Sequence, residues 1–486
     1  MQLLHSTSKP NSSSTRFIRF IIFSSSILTL YLLVLLFLVA SSKLTSVTSW
    51  ESSASQHSPT TLEHIVFGIA SNKKSWQKRK EYVKLWWKQP HQQQQMGMRG
   101  CVFLEAPPDD FNVTSGNDNS TLPPICISQD TSRFRYTFKN GLRSAIRVAR
   151  VVSETVALNH SDVRWFVFGD DDTVFFPENL AKTLSKYDHG LWYYIGSNSE
   201  IYEQNRLFGF DMAYGGAGFA ISYPLAKVLA KVFDSCIERY PHLYGSDSRI
   251  SSCLAELGVT LTREPGFHQL DFHGNMFGIL TSHPTTPLVS LHHMDHIDAI
   301  FPNMTTQDSV NHLLEAAKID SQRVLQKTVC YDRWFSWTIS ISWGYAVEVY
   351  GNHMLLPDVL PVQTTFRQWS KGDVLAATYV FNTRRPHPDP CRRATVFFLD
   401  RASSEGSDNQ QLVTSHYKKM FVNCSQDMGS PRRLEEIKVV SHKLDLSDKQ
   451  LRAPRRQCCE VLPSSGNKVM EIAIRECEED ELIHMK

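Results

Sequence analysis

The sequence predicts an α/β fold built on a largely parallel, helix-covered sheet, followed by a β-rich domain and preceded by one transmembrane helix. Three observations carry this expectation. An uncharged run of 21 residues, 20–40, opens the chain. Apolar strand-like runs then alternate with helical periodicity to about residue 324. From about residue 325 the pattern changes to alternation of period two. The chain has 486 residues, more than one ordinary domain and in line with two or three. Its 51 Lys and Arg against 49 Asp and Glu leave a net charge of +2, which argues against a general nucleic-acid binder. With 42% hydrophobic residues, 11% of the chain being aromatic, there is enough apolar surface for a sizeable core.

The apolar run FIIFSSSILTLYLLVLLFLVA would form a helix about 30 Å long, enough to cross a hydrocarbon core. Lys9, Arg16 and Arg19 precede it and only Lys43 follows closely, so the positive-inside bias makes residues 1–19 a cytosolic tail. A cleaved signal peptide is the alternative; its apolar stretch usually runs about 7–15 residues. Both readings send the body into the secretory pathway. Sequons at Asn112, Asn119, Asn159, Asn303 and Asn423 all follow the anchor, and so do all ten cysteines. That compartment permits disulfides, although spacing does not give their pairing, and a small buried apolar thiol is the simplest reading of Cys253. Twelve of the 21 residues in 41–61 are Ser or Thr, which reads as a flexible stem.

The luminal body begins with a strand-like run, HIVFGIA (64–70), and a helical segment through Trp76, Val83 and Trp87. The basic residues distributed between Lys73 and Lys88 could touch a phosphate, but a solvated helix face is the simpler reading. MRGCVFLEA offers a second strand, FKNGLRSAIRVARVVSETVAL a helix, and VRWFVFG the next strand. Further on, large apolar groups alternate with small or polar ones from Trp337 to Tyr350, followed by strand candidates ATVFFLD, LEEIKVVSHKL and KVMEIAIREC. These make a β-rich domain at 325–486, with Cys458, Cys459 and Cys477 as candidate staples. It shows no constellation of catalytic type.

The most informative segment is RWFVFGDDDTVFFPENL (164–180), in which an apolar strand runs straight into Asp170, Asp171 and Asp172. Ligands of open α/β sheets bind outside the carboxyl ends of the strands. Three carboxylates crowded there need a cation or donors, and oxygen ligands favour a hard divalent ion such as Mn²⁺ or Mg²⁺. An acidic turn capping the next helix is the plain alternative. A phosphatase-type D-x-D-x-[TV] pattern also fits Asp170, Asp172 and Val174, but a downstream Gly-Asp motif to go with it is lacking.

In order, FVFGDDDTVFF, YIGSNSE (194–200), YGGAGFAIS (214–222), LYGSDSRISSCLAELGV (243–259) and PLVSLHHMD (287–295) resemble the Fringe-like β-1,3-glycosyltransferases. The nearest likeness is to their plant Fringe-related branch, long labelled a domain of unknown function, and it covers nearly everything after residue 62. The resemblance implies a Rossmann-like GT-A domain over 62–324, a UDP-sugar donor and a metal ion on a D-x-D motif. Carried over, Asp172 and His292 would bind the metal with Asp170, and Asp170 and Asp171 would face the nucleotide. Asp247 would be the catalytic base, although many relatives carry a second acid where Ser246 stands; a helix N-cap is the plain reading of Asp247. Gly215, Gly216 and Gly218 would border the donor sugar, where a tight turn would explain them nearly as well. A His-rich zinc site competes for HHMDH, while a structural role is the simpler one for His293 and His296. Trp192, Tyr193, Trp334 and Trp337 could stack on sugars, but core packing is the simpler expectation for each.

Together these readings describe a single-pass type II Golgi membrane enzyme with its catalytic domain in the lumen. It would move a hexose-type sugar from a UDP-sugar to a glycan or glycoprotein hydroxyl with inversion, giving a β-linkage. The alternative is a carbohydrate-binding or scaffold protein that keeps the fold without catalysis.

Overall fold

A computed structural model describes residues 12–47, 58–88, 97–108, 121–369, 378–406, 411–424, 429–463 and 468–485. The sequons at Asn112 and Asn119, residues 48–57 of the Ser/Thr-rich stem and residues 1–11 of the expected tail lie outside the described residues, while residues 41–47 of that stem continue the first helix. Helix α1 (Ser12–Val47) carries the apolar run, and every side chain from Phe17 to Leu38 is exposed. By length and composition it is a candidate membrane span. The body, from Thr60 to Lys486, is a separate compact unit.

The body begins with β1 (Ile65–Ala70), whose six residues are all buried, and α2 (Lys73–Trp86). Asn72 caps α2 by accepting from the backbone N–H groups of Lys74 and Ser75 at 3.1 and 2.9 Å. There follow β2 (Arg99–Leu104), β3 (Ile125–Ile127), α3 (Ser144–Ala157), β4 (Trp165–Asp170), β5 (Val174–Phe175) and α4 (Pro177–Ser185). Next come β6 (Tyr194–Gly196), α5 (Tyr202–Phe208), β7 (Phe219–Ser222), α6 (Tyr223–Arg239), α7 (Ser246–Glu256) and β8 (Leu261–Arg263). After β9 (Phe267–His268) and β10 (Phe272–Gly274) come α8 (Phe277–Leu280), β11 (Ser290–Leu291) and α9 (Thr306–Ile319). The main sheet has the order β3-β2-β1-β4-β7-β6-β8 and is parallel except for β7, which runs against both neighbours.

Two features of this topology position a site. Ala70 and Asp170 are in register, so β1 and β4 finish side by side and open a crevice beyond them. The small sheet β5-β11-β9 pairs Leu291 with both Val174 and His268. Its registers bring the residues just outside it, Asp172, His292 and Gln269, to one place.

The β-rich region consists of β12 (Lys327–Asp332), β13 (Trp337–Ser342), β14 (Ala346–Tyr350), β15 (Val362–Gln363), β16 (Phe366–Gln368) and β17 (Thr383–Arg384). It continues through β18 (Thr395–Glu405), β19 (Leu412–Lys419), β20 (Glu436–His442), β21 (Cys458–Leu462) and β22 (Val469–Arg475). Eight of these strands form one sheet, ordered β12-β13-β14-β18-β19-β20-β22-β21. The alternating run from Trp337 to Tyr350 proves to be an antiparallel hairpin, turned at Gly344 with φ of +77°. Both strands are buried on both faces, because the sheet packs against the first region and shares a single apolar cluster with it. Segments of the β-rich region also return to the first: β16 pairs with β10, and Tyr379 forms a bridge with Ile201.

Five disulfides pair all ten cysteines: Cys101–Cys126, Cys236–Cys253, Cys330–Cys459, Cys391–Cys424 and Cys458–Cys477. Cys253 is therefore not the inert thiol its helical setting suggests. It is buried because α6 and α7 pack together, and the same proximity lets it reach Cys236. Closing this short loop should contribute about 3 kcal/mol. Replacing Cys236 and Cys253 together by Ala should lower the urea midpoint of the body accordingly. An unchanged midpoint would show that packing of α6 on α7 suffices without the bond.

Candidate active site

The acidic strand end is held open by a turn. Thr173 donates its N–H to the Asp170 carbonyl at 3.1 Å, and its hydroxyl accepts from the Asp170 N–H at 2.8 Å. The turn sends the three carboxylates to different partners. Asp171 points to α2, where its Oδ2 accepts from Ser71 and Ser75 at 2.6 and 2.5 Å. Asp172, 1% exposed, points inward, and Asp170 lies at the edge of the crevice.

One arginine ties this arrangement together. Arg79 approaches Asp171 at 3.2 Å, Asp172 at 3.1 Å and Asp295 at 2.8 Å. Ser71, Ser75 and Arg79 recur every four residues, and this spacing aligns them at the start and along one face of α2. The basic stretch between Lys73 and Lys88 is thus not wholly a solvated face: Arg79 turns inward as the counter-ion of the acidic strand end. Burial alone would lower the Arg79 pKa, but Asp172 and Asp171 reverse that and raise it.

On the other side, His292 Nε2 stands 3.2 Å from Asp172 Oδ1 and 3.8 Å from Asp170 Oδ2. Its Nδ1 lies 3.2 Å from the Gln269 carbonyl. Donation from Nδ1–H to that carbonyl leaves Nε2 as the atom that faces the carboxylates, with a proton in the imidazolium and a lone pair only in the neutral ring. Burial depresses the imidazolium, yet Asp172, then Asp170 and Asp271, bring its pKa up to about 9. Asp170 is pushed up to about 7 by burial and by Asp172, Asp247 and Asp171, against the opposing pull of His292. Asp172 goes the other way: burial would raise it, but His292 and Arg79 together hold it well below the usual range. The locus as a whole favours positive charge.

A divalent cation fits the donor set. One ligand atom from each of Asp170, Asp172 and His292 lies within 4.8 Å of the others. Neither buried oxygen of Asp172 receives an aligned hydrogen bond, although charged partners stand nearby. Two carboxylates and one imidazole suit Mn²⁺ or Mg²⁺ better than a closed zinc site. His293 and His296 do not join this group. His293 stacks on Trp369 at 4.4 Å and 16°, and His296 meets the same indole edge-on at 4.6 Å.

The glycine loop packs directly against these groups. A Cβ on Gly216 would lie 2.1–2.5 Å from the His292 ring atoms, and one on Gly215 would lie 2.6 Å from Asp247 Oδ1. Gly218 has φ of +84°, and a Cβ there would meet the Phe175 ring at 2.7 Å. The loop is fixed by Thr173 Oγ1 donating to the Gly216 carbonyl at 2.7 Å, and by the Ala217 N–H donating to Gln269 Oε1 at 2.8 Å. Asp247 sits in the first turn of α7, not at its N-cap, which is Gly245. Its Oδ1 accepts from Ser246 Oγ at 2.9 Å, and burial raises its pKa against the bonds from Gly215 and Ser246. Asp170, Gly215 and Asp247 line one small cavity. Beside it, Asp170 and Asp171 line a cleft of about 470 Å³ with Ser71, Asn72, Ser75 and Arg79.

Of the residues picked from the sequence, Asp170, Asp171, Asp172, Asp247 and His292 lie in the cluster or beside it with Gly215 and Gly216, while Gly218 packs on the Phe175 ring. Three that were not picked are Arg79, Gln269 and Trp369. The four-residue spacing from Ser71 to Arg79 was the available signal for the first; Gln269 and Trp369 act through strand register, which no local pattern reveals. Of the aromatic candidates, Trp337 is buried and Tyr193 packs on Trp165 and Tyr187. Trp192 is 45% exposed and Trp334 83% exposed, so neither is a core residue.

A family profile described as Fringe-like matches residues 60–276, and one described as a protein of unknown function, DUF604, matches residues 204–459. No curated protein sequence matches significantly. A crystal structure of an active-site mutant of LgtC overlaps 41% of this chain and 72% of that one, at 15% identity and a TM-score of 0.25. An overlap that low carries no argument about mechanism.

The contact between Gly216 and His292 makes a direct prediction. Gly216→Ala should displace the imidazole and weaken Mn²⁺ binding at least about tenfold by titration calorimetry, with the far-UV spectrum unchanged. Gly429→Ala, where a Cβ meets nothing within 4 Å, should leave affinity intact. Equal affinity in Gly216→Ala would remove His292 from the cation site.

Proposed function

The chain belongs to the Fringe-like glycosyltransferase family, in the branch designated DUF604, and on that premise we propose that it transfers a hexose-type sugar from a UDP-sugar to a hydroxyl of a glycan or glycoprotein. The observation that carries this reading is the convergence of Asp170, Asp172 and His292 beside Asp247 at the carboxyl end of β4. In this reading residues 62–324 form a catalytic domain of GT-A type and 325–486 a β-rich domain built onto it.

Asp172, His292 and Asp170 would hold Mn²⁺ or Mg²⁺, which offsets the charge of a departing diphosphate. The remaining chemistry belongs to the chain. The polar cleft along Ser71, Asn72 and Ser75 would receive the nucleotide, with Asp170 and Asp171 at its wall. Arg79 holds Asp171 and Asp172 in place and favours their charged forms, against a burial that still leaves the Asp171 pKa raised. Gly215, Gly216 and Gly218 let the sugar approach the backbone. Asp247 takes the proton from the acceptor hydroxyl as that oxygen attacks the anomeric carbon, and inversion to a β-linkage, as in β-1,3 transfer, follows from one displacement. A raised pKa makes this carboxylate a stronger base than an exposed one.

The same reading places the protein in the Golgi membrane as a single-pass type II protein with its body in the lumen. Three features support it: the apolar run carried by α1, Arg16 and Arg19 at its N-terminal side, and ten paired cysteines, which suit an oxidising compartment. In that topology residues 1–19 form the tail, 20–40 the anchor and 41–61 the stem.

The reading is tested by incubating the full-length protein with Mn²⁺ and a panel of UDP-hexoses and following release of UDP. Turnover should occur with at least one donor and fall by about 10²-fold or more in Asp172→Ala. Binding of a donor with no release of UDP under any divalent ion would instead favour the carbohydrate-binding alternative.

A second expectation concerns pH. The base form of Asp247 is lost as pH falls through its raised pKa, so transfer should decline on the acid side above the ordinary aspartate value of about 3.9. Asp247→Asn should cut transfer by about 10²–10⁴-fold while weakening Mn²⁺ binding far less than Asp172→Ala does, because Asp247 acts on the cation only through its nearby charge. A fully active Asp247→Asn would exclude this residue as the base.

A further inference from the structure

The β-rich sheet curls until its first and last strands meet. Strands β12 and β21 are not hydrogen-bonded neighbours, yet they lie side by side, and the Cys330–Cys459 disulfide crosses the seam between them. Where β12 and β21 finish and β13, β20 and β22 begin, a cleft of about 750 Å³ opens along this seam. Mouths of curled or closed sheets are recurrent ligand sites, and this volume falls within the usual range of roughly 300–1,000 Å³. None of the residues lining it belongs to the acidic site.

The cleft is walled by an aromatic platform on the hairpin between β12 and β13. Trp334 is 83% exposed, the highest value for a tryptophan among the described residues. Phe335 beside it is 53% exposed and stacks on Trp337 at 4.5 Å and 17°. The platform is anchored rather than loose. The Phe335 N–H donates to Asp332 Oδ2 at 2.8 Å, and Trp337 Nε1–H donates to the Gly429 carbonyl at 3.0 Å. Leaving an indole in water forgoes about 1.5–3 kcal/mol of burial, so its retention on a fixed loop calls for an occupant.

The lining selects the class of occupant. Acidic Asp332, Glu460 and Glu481 are balanced by Arg333, Arg433 and Arg475, with Arg475 and Glu481 already paired at 2.7 Å. A balanced wall gives no preference for a phosphate or for a strongly charged peptide. Flat aromatic faces seek C–H surfaces, while the carboxylates and guanidinium groups around them seek hydroxyls. A neutral saccharide presents both, one on the faces of its rings and the other around their edges.

We infer that this cleft is a second carbohydrate site, one that binds a neutral oligosaccharide without reacting with it. In an enzyme acting on glycans it would retain the acceptor chain between transfers, although binding itself does not depend on transfer.

The test uses the full-length protein in phosphocholine-lipid nanodiscs, with laminaritetraose and cellotetraose as probes, followed by saturation-transfer NMR and calorimetry. At least one probe should bind, with signals from ring C–H protons. Affinity should fall about tenfold in Trp334→Ala and less in Trp334→Phe, with an unchanged thermal midpoint. Binding should persist in Asp172→Ala, which separates this cleft from the donor site and keeps the two readings independently testable. The inference is overturned if neither probe binds at millimolar concentration, or if Trp334→Ala binds like the wild type. It is also overturned if Asp172→Ala abolishes binding, or if Trp334→Ala turns a dimer into a monomer by light scattering, which would make the platform a contact between two copies.

Discussion

Three adjacent carboxylates at the end of a buried strand set the terms for the rest of this protein. Two unit charges about 4.8 Å apart, the outer limit for Asp170 and Asp172, repel by roughly 3–4 kcal/mol at the effective dielectric of a protein interior, so these two carboxylates cannot stand together unaided, and Asp171 adds a third charge beside them. Arg79, Ser71 and Ser75 absorb Asp171, Arg79 and His292 share Asp172, and Asp170 is left with a pKa pushed up to about 7. Asp295 and Asp247 add further negative charge nearby. One guanidinium and one imidazolium do not neutralise that set, which is why a divalent cation fits it electrostatically as well as geometrically.

Much of the fold can be understood as support for this arrangement. The parallel register of β1 and β4 opens the crevice, and the short sheet β5-β11-β9 carries Asp172, His292 and Gln269 to its rim. The β-rich region is more than an appendage. It shares its apolar cluster with the first region and sends β16 back to pair with β10. That pairing delivers Trp369 onto His293, the neighbour of His292. The sequence suggests a boundary near residue 325, and the second sheet does begin at Lys327, but packing continues across it.

Legibility in the sequence followed the range of the interactions. The strand running into Asp170–Asp172, the glycine loop and the HHMD segment are local patterns, and each marks a part of the site. The alternation from Trp337 to Tyr350 correctly signals extended structure, yet the turn at Gly344 interrupts it without disturbing the pattern of large residues. Arg79 reads as one of several basic residues on a helix; only the distance to Asp171, about ninety residues away in sequence, makes it a counter-ion. Gln269 and Trp369 matter because of strand pairing, and the partner of Cys253 because of helix packing. Neither kind of pairing is encoded in a single segment.

The central claim is that Asp172 and His292 jointly bind a divalent cation. Anomalous diffraction from crystals grown with Mn²⁺ and UDP tests it most directly. The account predicts one strong peak about 2.0–2.6 Å from a carboxylate oxygen of Asp172 and from His292 Nε2, with the imidazole Nδ1 still on the Gln269 carbonyl. A peak elsewhere, or none while His292 stays paired with Asp172, would contradict it.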